Sequence, residues 1–124
     1  MVMRILVVED VPDVALTFSA LIRACGHRTQ VAPNGNAALR MAQEFHPELV
    51  FVDIGLPGMD GYQVAQRLHE LGEHPRIVSV SGQDVDAERQ REAGIEKHLS
   101  KPVSIDALLS VIGGPKTRMN CKTA

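Results

Sequence analysis

The chain has 124 residues, enough for one domain and too few for two of ordinary size. Hydrophobic residues make up 44% but aromatic ones only 3%, with no Trp, so a single core has to be aliphatic, built from Val, Leu, Ile and Ala. A net charge of -2 leaves no basic footprint for nucleic acid, and no apolar run is long enough to span a membrane.

The amino terminus, MVMRILVVED, carries one Arg, a short apolar run and two acids, which is not a signal peptide. Within it RILVV (residues 4–8) predicts a strand buried on both faces. Val14, Phe18, Leu21, Ile22 and Cys25 then recur at helical spacing, predicting a helix with that face inward and Gly26 as its stop. RTQVA (residues 28–32) reads as a weaker edge strand. NGNAALRMAQEF (residues 34–45) opens on cap-forming residues and predicts a helix with Ala38, Met41, Ala42 and Phe45 inward. LVFVD (residues 49–53) is the most apolar strand and ends on Asp53, before a loop dense in Gly and Pro. The following helix presents Val64, Ala65, Leu68 and Leu71. RIVSVSG (residues 76–82) is a fourth strand, and residues 84–94 a mostly polar helix with a thin apolar stripe. KHLSKP (residues 97–102) holds a brief fifth strand that Pro102 ends. SIDALLSVI (residues 104–112) is a last helix, capped by Ser104, with Ile105, Leu108, Leu109 and Ile112 on one face. Residues 113–124 lack apolar periodicity, so the expectation is one domain over residues 1–112 and a disordered tail. The two cysteines, Cys25 and Cys121, suggest no disulfide framework and fit a reducing compartment, with Cys25 as a small core residue. Together these features predict a soluble cytoplasmic protein.

Five alternations of strand and helix call for a parallel sheet covered by helices on both faces. Ligands of such sheets sit beyond the carboxyl ends of the strands, where the winding reverses. With the order 2-1-3-4-5 that point lies between the first and third strands. The first ends in Glu9-Asp10 and the third in Asp53. Three carboxylates so placed repel one another unless a cation sits among them. Mg²⁺ suits the site better than Ca²⁺, because few protein ligands leave room for waters and a phosphate oxygen. Zinc is disfavoured, since no His or Cys lies at ligand spacing nearby. The fourth strand ends in Ser81-Gly82 and the fifth in Lys101-Pro102. Three acids, a hydroxyl and an ammonium at one edge suit phosphoryl transfer to a carboxylate. Asp53 is then the nucleophile, the metal and Lys101 neutralise the phosphoryl oxygens, and Ser81 bonds one of them. Taken singly, each residue has a plainer reading: a solvated strand-end acid, a loop-capping serine, a surface lysine. His27, His46, His69 and His74 share no metal-like spacing and read as solvated.

Glu9-Asp10, DIGLPGMDG from Asp53, Ser81-Gly82 and Lys101-Pro102 resemble the signature of two-component response-regulator receiver domains, across about residues 3–112. The resemblance implies a flavodoxin-like, doubly wound five-stranded parallel sheet with five helices. It implies Asp53 as phosphoacceptor, Asp10 as a direct Mg²⁺ ligand, Glu9 holding metal-bound water and the Gly55 carbonyl completing the protein ligands. The phosphodonor is then a phosphohistidine on a sensor histidine kinase or a histidine phosphotransfer protein. The chain becomes a signalling module with no output domain, an enzyme only in its own phosphorylation and dephosphorylation, with neither nucleic acid nor membrane as partner. Three positions depart from the usual pattern. Ser81 stands where Thr is frequent, His98 where a Tyr or Phe switches rotamer, and Gly55 offers no side chain to guide a hydrolytic water. His98 is thus either a switch residue or a plain strand residue. The rival reading is a phosphohydrolase with an Asp nucleophile and Mg²⁺, against which Gly55 stands where such enzymes carry a second acid.

Overall fold

The computed structural model describes residues 2–113; the expected tail lies outside them apart from Gly113. Strand and helix alternate throughout: β1 (Arg4–Val8), α1 (Pro12–Ala24), β2 (Arg28–Ala32), α2 (Gly35–Phe45), β3 (Leu49–Asp53), α3 (Gly61–Glu70), β4 (Arg76–Ser81), α4 (Ala87–Glu92), β5 (Lys97–Ser100) and α5 (Ile105–Ile112). The strands form one parallel sheet in the order β2-β1-β3-β4-β5, the expected doubly wound arrangement. Among the described residues no helix is long and apolar enough to cross a membrane.

Period-two alternation divides the core into two layers. Leu6, Val8, Val50, Val52 and Ile77 face α2 and α3, where Ala38, Ala42, Val64, Ala65 and Leu68 meet them. Ile5, Val7, Phe51, Val78 and Val80 face the other layer, with Ile22 from α1 and Leu108, Leu109 and Ile112 from α5. Side chains cap four of the helices as the turn chemistry requires, Asp86 accepting from the Arg89 N–H at the start of α4. Asn34 accepts from the Ala37 N–H at 2.8 Å, Ser104 from Ala107 at 3.0 Å, and Asp60 forms a reciprocal box with Gln63.

The structure corrects the sequence reading at several places. On α1 the expected face holds in part: Ile22 and Cys25 are buried and Phe18 and Leu21 pack against the core, but Ala15 and Ser19 are buried as well and Val14 is not. Small side chains let this helix approach the sheet, and Val14 is left 38% exposed with Phe18 and Leu21 half-buried. Leu71 and Ile105 also face outward, one at a C-cap and the other in the first turn of α5. α4 covers six residues rather than eleven and buries none of them. Cys25 is buried as expected but is disulfide-bonded, against the reading of a chain without cystine; Cys121 lies outside the described residues.

Candidate functional site

Alternation also decides which strand-end groups share a face. Asp53 follows Phe51 on β3, and Glu9 follows Val7 at the end of β1, so both lie on the α1–α5 side. The cross-strand register sets Val8 beside Val52, which brings Glu9 and Asp53 together one residue further on. Lys101 arrives from β5, its backbone N–H donating to the Ser81 carbonyl at 2.9 Å across the β4–β5 pair. Its ammonium donates to Glu9 Oε1 at 2.9 Å and to Asp53 Oδ2 at 3.0 Å. The Lys101–Pro102 peptide bond is cis.

Each remaining carboxylate oxygen is accounted for. The Gly55 N–H donates to Asp53 Oδ1 at 2.9 Å, and the Val11 N–H to Glu9 Oε2 at 3.2 Å. Glu9 is only 5% exposed and Asp53 8%, whereas Asp10 is open to solvent. Burial raises the Glu9 pKa above the ordinary carboxylate value, and the nearby Asp53 charge adds to this, while the Lys101 hydrogen bond pulls it back in part. Burial works against the charge on Lys101, but its bonds to the two carboxylates outweigh that and hold its pKa above the usual lysine value.

Glu9, Asp10 and Asp53 each offer a carboxylate oxygen to a common point, with these atoms all within 4.8 Å of one another. An all-oxygen set with one side open to water fits a hard divalent cation that keeps part of its hydration shell, as Mg²⁺ does. The structure therefore unites Glu9, Asp10, Asp53 and Lys101. Gly55 enters through its N–H.

Ser81 is buried at the end of β4, on the opposite face from Asp53 by strand alternation. Its Oγ accepts from the Gln83 N–H at 2.9 Å, which leaves its own proton available to donate. His98 is half-buried and points at the middle of β4 instead of the strand end. Its Nδ1 lies 2.8 Å from the Ser79 Oγ, which donates to Gln90 Oε1 on α4, also at 2.8 Å. Ser79 has one proton to give, so the imidazole donates from Nδ1. Burial lowers the His98 pKa, in keeping with a neutral ring.

Four contributors escaped the sequence reading. Ser79 and Gln90 fix α4, which has no buried side chain of its own, and Tyr62 accepts from the Asp86 N–H at 3.0 Å at its start. Gly61 packs so closely beneath β3 that an added Cβ would lie 2.7 Å from the Asp53 carbonyl oxygen. The Asp-Gly pair opening α3 was the one available signal. Beside the acidic cluster, a cavity of about 560 Å³ runs along α1 past Val14, Phe18 and Leu21 to Asp53 and Lys101.

The sequence matches the family model described as the response regulator receiver domain over residues 5–113. The polar-differentiation response regulator DivK of Brucella ovis is 34% identical over 116 residues, covering 90% of this chain and 94% of that protein. Protein PilH of Pseudomonas aeruginosa is 31% identical over 113 residues, covering 88% of this chain and 93% of its own length. The sensor histidine kinase RcsC of Escherichia coli is 33% identical over 108 residues, 86% of this chain, and the chain spans only 11% of that kinase. Among solved structures, a CheY-like response regulator receiver domain protein from Methanospirillum hungatei superposes with a TM-score of 0.85 at 23% identity, covering 100% of both chains. At that identity the likeness speaks for the fold.

Proposed function

The chain belongs to the response regulator receiver domain family of two-component signalling, and from that premise we propose that it accepts a phosphoryl group on Asp53 and changes its binding surface in response. The observation that carries this reading is the Lys101 ammonium shared between Glu9 and Asp53, at the point where three carboxylates converge. A buried nucleophile needs its charge balanced until the phosphoryl group arrives, and a mobile ammonium does that.

In the proposed reaction an Asp53 carboxylate oxygen forms the new O–P bond as the P–N bond of a phosphohistidine breaks. The electron pair returns to the ring, whose other nitrogen carries a proton, so it leaves as neutral imidazole. Lys101 shifts from the carboxylates to a phosphoryl oxygen, and the Ser81 hydroxyl donates to another. Glu9, Asp10 and Asp53, with the Gly55 carbonyl, would hold Mg²⁺, which when bound neutralises charge on the phosphoryl oxygens. The donor is a phosphohistidine on a sensor histidine kinase or a histidine phosphotransfer protein, met in the cytoplasm. The half-exposed Val14, Phe18 and Leu21 beside the cavity give such a donor an apolar surface that leads to Asp53.

Intact mass after incubation with acetyl phosphate and Mg²⁺ tests the reading. The expected result is one phosphoryl group per chain, lost in Asp53→Asn, with calorimetric Mg²⁺ binding abolished in Asp10→Ala. Labelling retained in Asp53→Asn, or continuous phosphate release without a phosphorylated chain, would overturn it.

A further inference from the structure

The opposite end of the sheet carries a second group of titratable side chains. His69 lies in the last turn of α3 and His74 in the loop that enters β4. Their rings lie 5.6 Å apart at 29°, and the two Nδ1 atoms face each other at 3.4 Å. Close by in the chain, Glu73 is engaged with His46, the left-handed C-cap of α2, at 3.2 Å.

The distance between the Nδ1 atoms is informative. It exceeds the usual range of about 2.7–3.2 Å for a hydrogen bond from an N–H group. It equals the separation of two imidazole nitrogens on one tetrahedral ion, since Zn–N bonds of about 2.0–2.1 Å at the tetrahedral angle place the nitrogens about 3.4 Å apart. The other side of His69 is closed. Its Nε2 is buried without a hydrogen-bond partner, against Gly94, where an added Cβ would lie 2.7 Å away. Gly94 holds φ at +74°, which a residue with a side chain adopts only with strain. The backbone thus makes room for the ring, fixes it, and leaves Nδ1 as its open nitrogen.

From this juxtaposition we propose that His69 and His74 form a two-histidine site for a late first-row divalent cation, Zn²⁺ or Cu²⁺, each ring ligating through Nδ1. Imidazole nitrogen suits these ions and not Mg²⁺, so the site is chemically separate from the acidic cluster at the other end of the sheet. Water completes the coordination. A bound ion joins the end of α3 to the start of β4 and so stiffens the connection between two elements that flank the Asp53 strand.

Zn²⁺ is the probe, added to the whole chain with excess Mg²⁺ to occupy the acidic cluster. Calorimetry should give one Zn²⁺ per chain, and NMR of the ring nitrogens should show Nδ1 of His69 and His74 shifting while His27 and His98 stay in place. Loss of a second-shell group typically weakens a metal site about 10–100-fold, so loss of a ligand should cost at least tenfold. His74→Ala, at an exposed loop position, gives that test without disturbing the core, and His69→Gln gives it from the other side. Zn²⁺ binding as tight in His74→Ala as in the unaltered chain would overturn the proposal. So would two ring resonances that ignore Zn²⁺, the result expected if the pair shares only a proton.

Discussion

Gly61→Ala should destabilise the domain through a backbone clash that Gly55→Ala and Gly82→Ala do not create. The Cβ of alanine would lie 2.7 Å from the Asp53 carbonyl oxygen and 2.9 Å from both Ile54 Cα and Ile54 Cδ1. Two of these atoms are backbone and cannot swing aside. Moreover, the Gly61 N–H donates to the Ile54 carbonyl at 3.2 Å, which ties the helix start to the same strand end. Overpacking of this kind costs about 1–3 kcal/mol. Alanine brings back up to about 1 kcal/mol through helix propensity. The net loss is on the order of 1–2 kcal/mol, or about 4–8 °C in melting temperature for a domain of this size. Gly55→Ala and Gly82→Ala serve as controls. An added Cβ at Gly55 meets only Asp53 Oδ1 at an ordinary 3.6 Å, and at Gly82 it meets nothing within 4 Å. Neither glycine has a positive φ, so Gly82→Ala should be neutral or stabilising by about 0.4–1 kcal/mol. Thermal unfolding followed by far-ultraviolet circular dichroism measures all three. If Gly61→Ala melts at or above the unaltered chain, or if all three fall together, the close approach beneath Asp53 is not what constrains this position.

Burial lowers the His27 pKa below 6.5, and its Nδ1 accepts from the Met3 N–H at 3.0 Å, so the fold favours the neutral ring. The contribution is fully present above about pH 6.5 and is lost as pH falls below it through the lowered folded-state pKa; Glu9, with its raised pKa, works in the other sense. Urea unfolding at several pH values should therefore show a smaller loss on acidification in His27→Gln than in the unaltered chain, and identical pH dependence would refute the assignment. Ser79→Ala should cost about 1–3 kcal/mol by orphaning Gln90 Oε1 and the His98 N–H, and should speed amide exchange in α4 while β1 keeps its protection. Unchanged α4 exchange would mean that Arg89, which pairs with Asp60 at 3.1 Å and lies over the Tyr62 ring, holds the helix alone. Gln83→Ala should lengthen the life of the proposed phospho-Asp53, since Gln83 lies in an exposed loop two residues after Ser81 and an amide there can orient an attacking water; an unaltered decay rate would make it a surface residue.

Much of this protein is written along the chain itself. Continuous apolar runs and stripes of period 3.6 are local properties, and they mark the strands and the helices other than α4 in the right order. The acids, the hydroxyl and the lysine stand at the ends of those runs, so the chemistry of the edge follows once the sheet is known to be parallel. The two-layer fold supplied the rest, because it depends on how elements meet and not on what each contains. Lys101 and Glu9 are 92 residues apart, and only the register across β1, β3, β4 and β5 brings the ammonium to 2.9 Å from the carboxylate. The face that α1 buries is set by how closely Ala15 and Ser19 let it approach the sheet, so the larger stripe lies along an open cavity. α4 has no apolar face to announce it and is fixed by polar partners from β4 and α3. The four histidines read as solvated met different fates: His27 is buried, His46 pairs with Glu73, and His69 and His74 face each other because the turn after α3 folds five residues back on themselves. Spacing in sequence carries no trace of such meetings, since loop geometry and packing distance decide them.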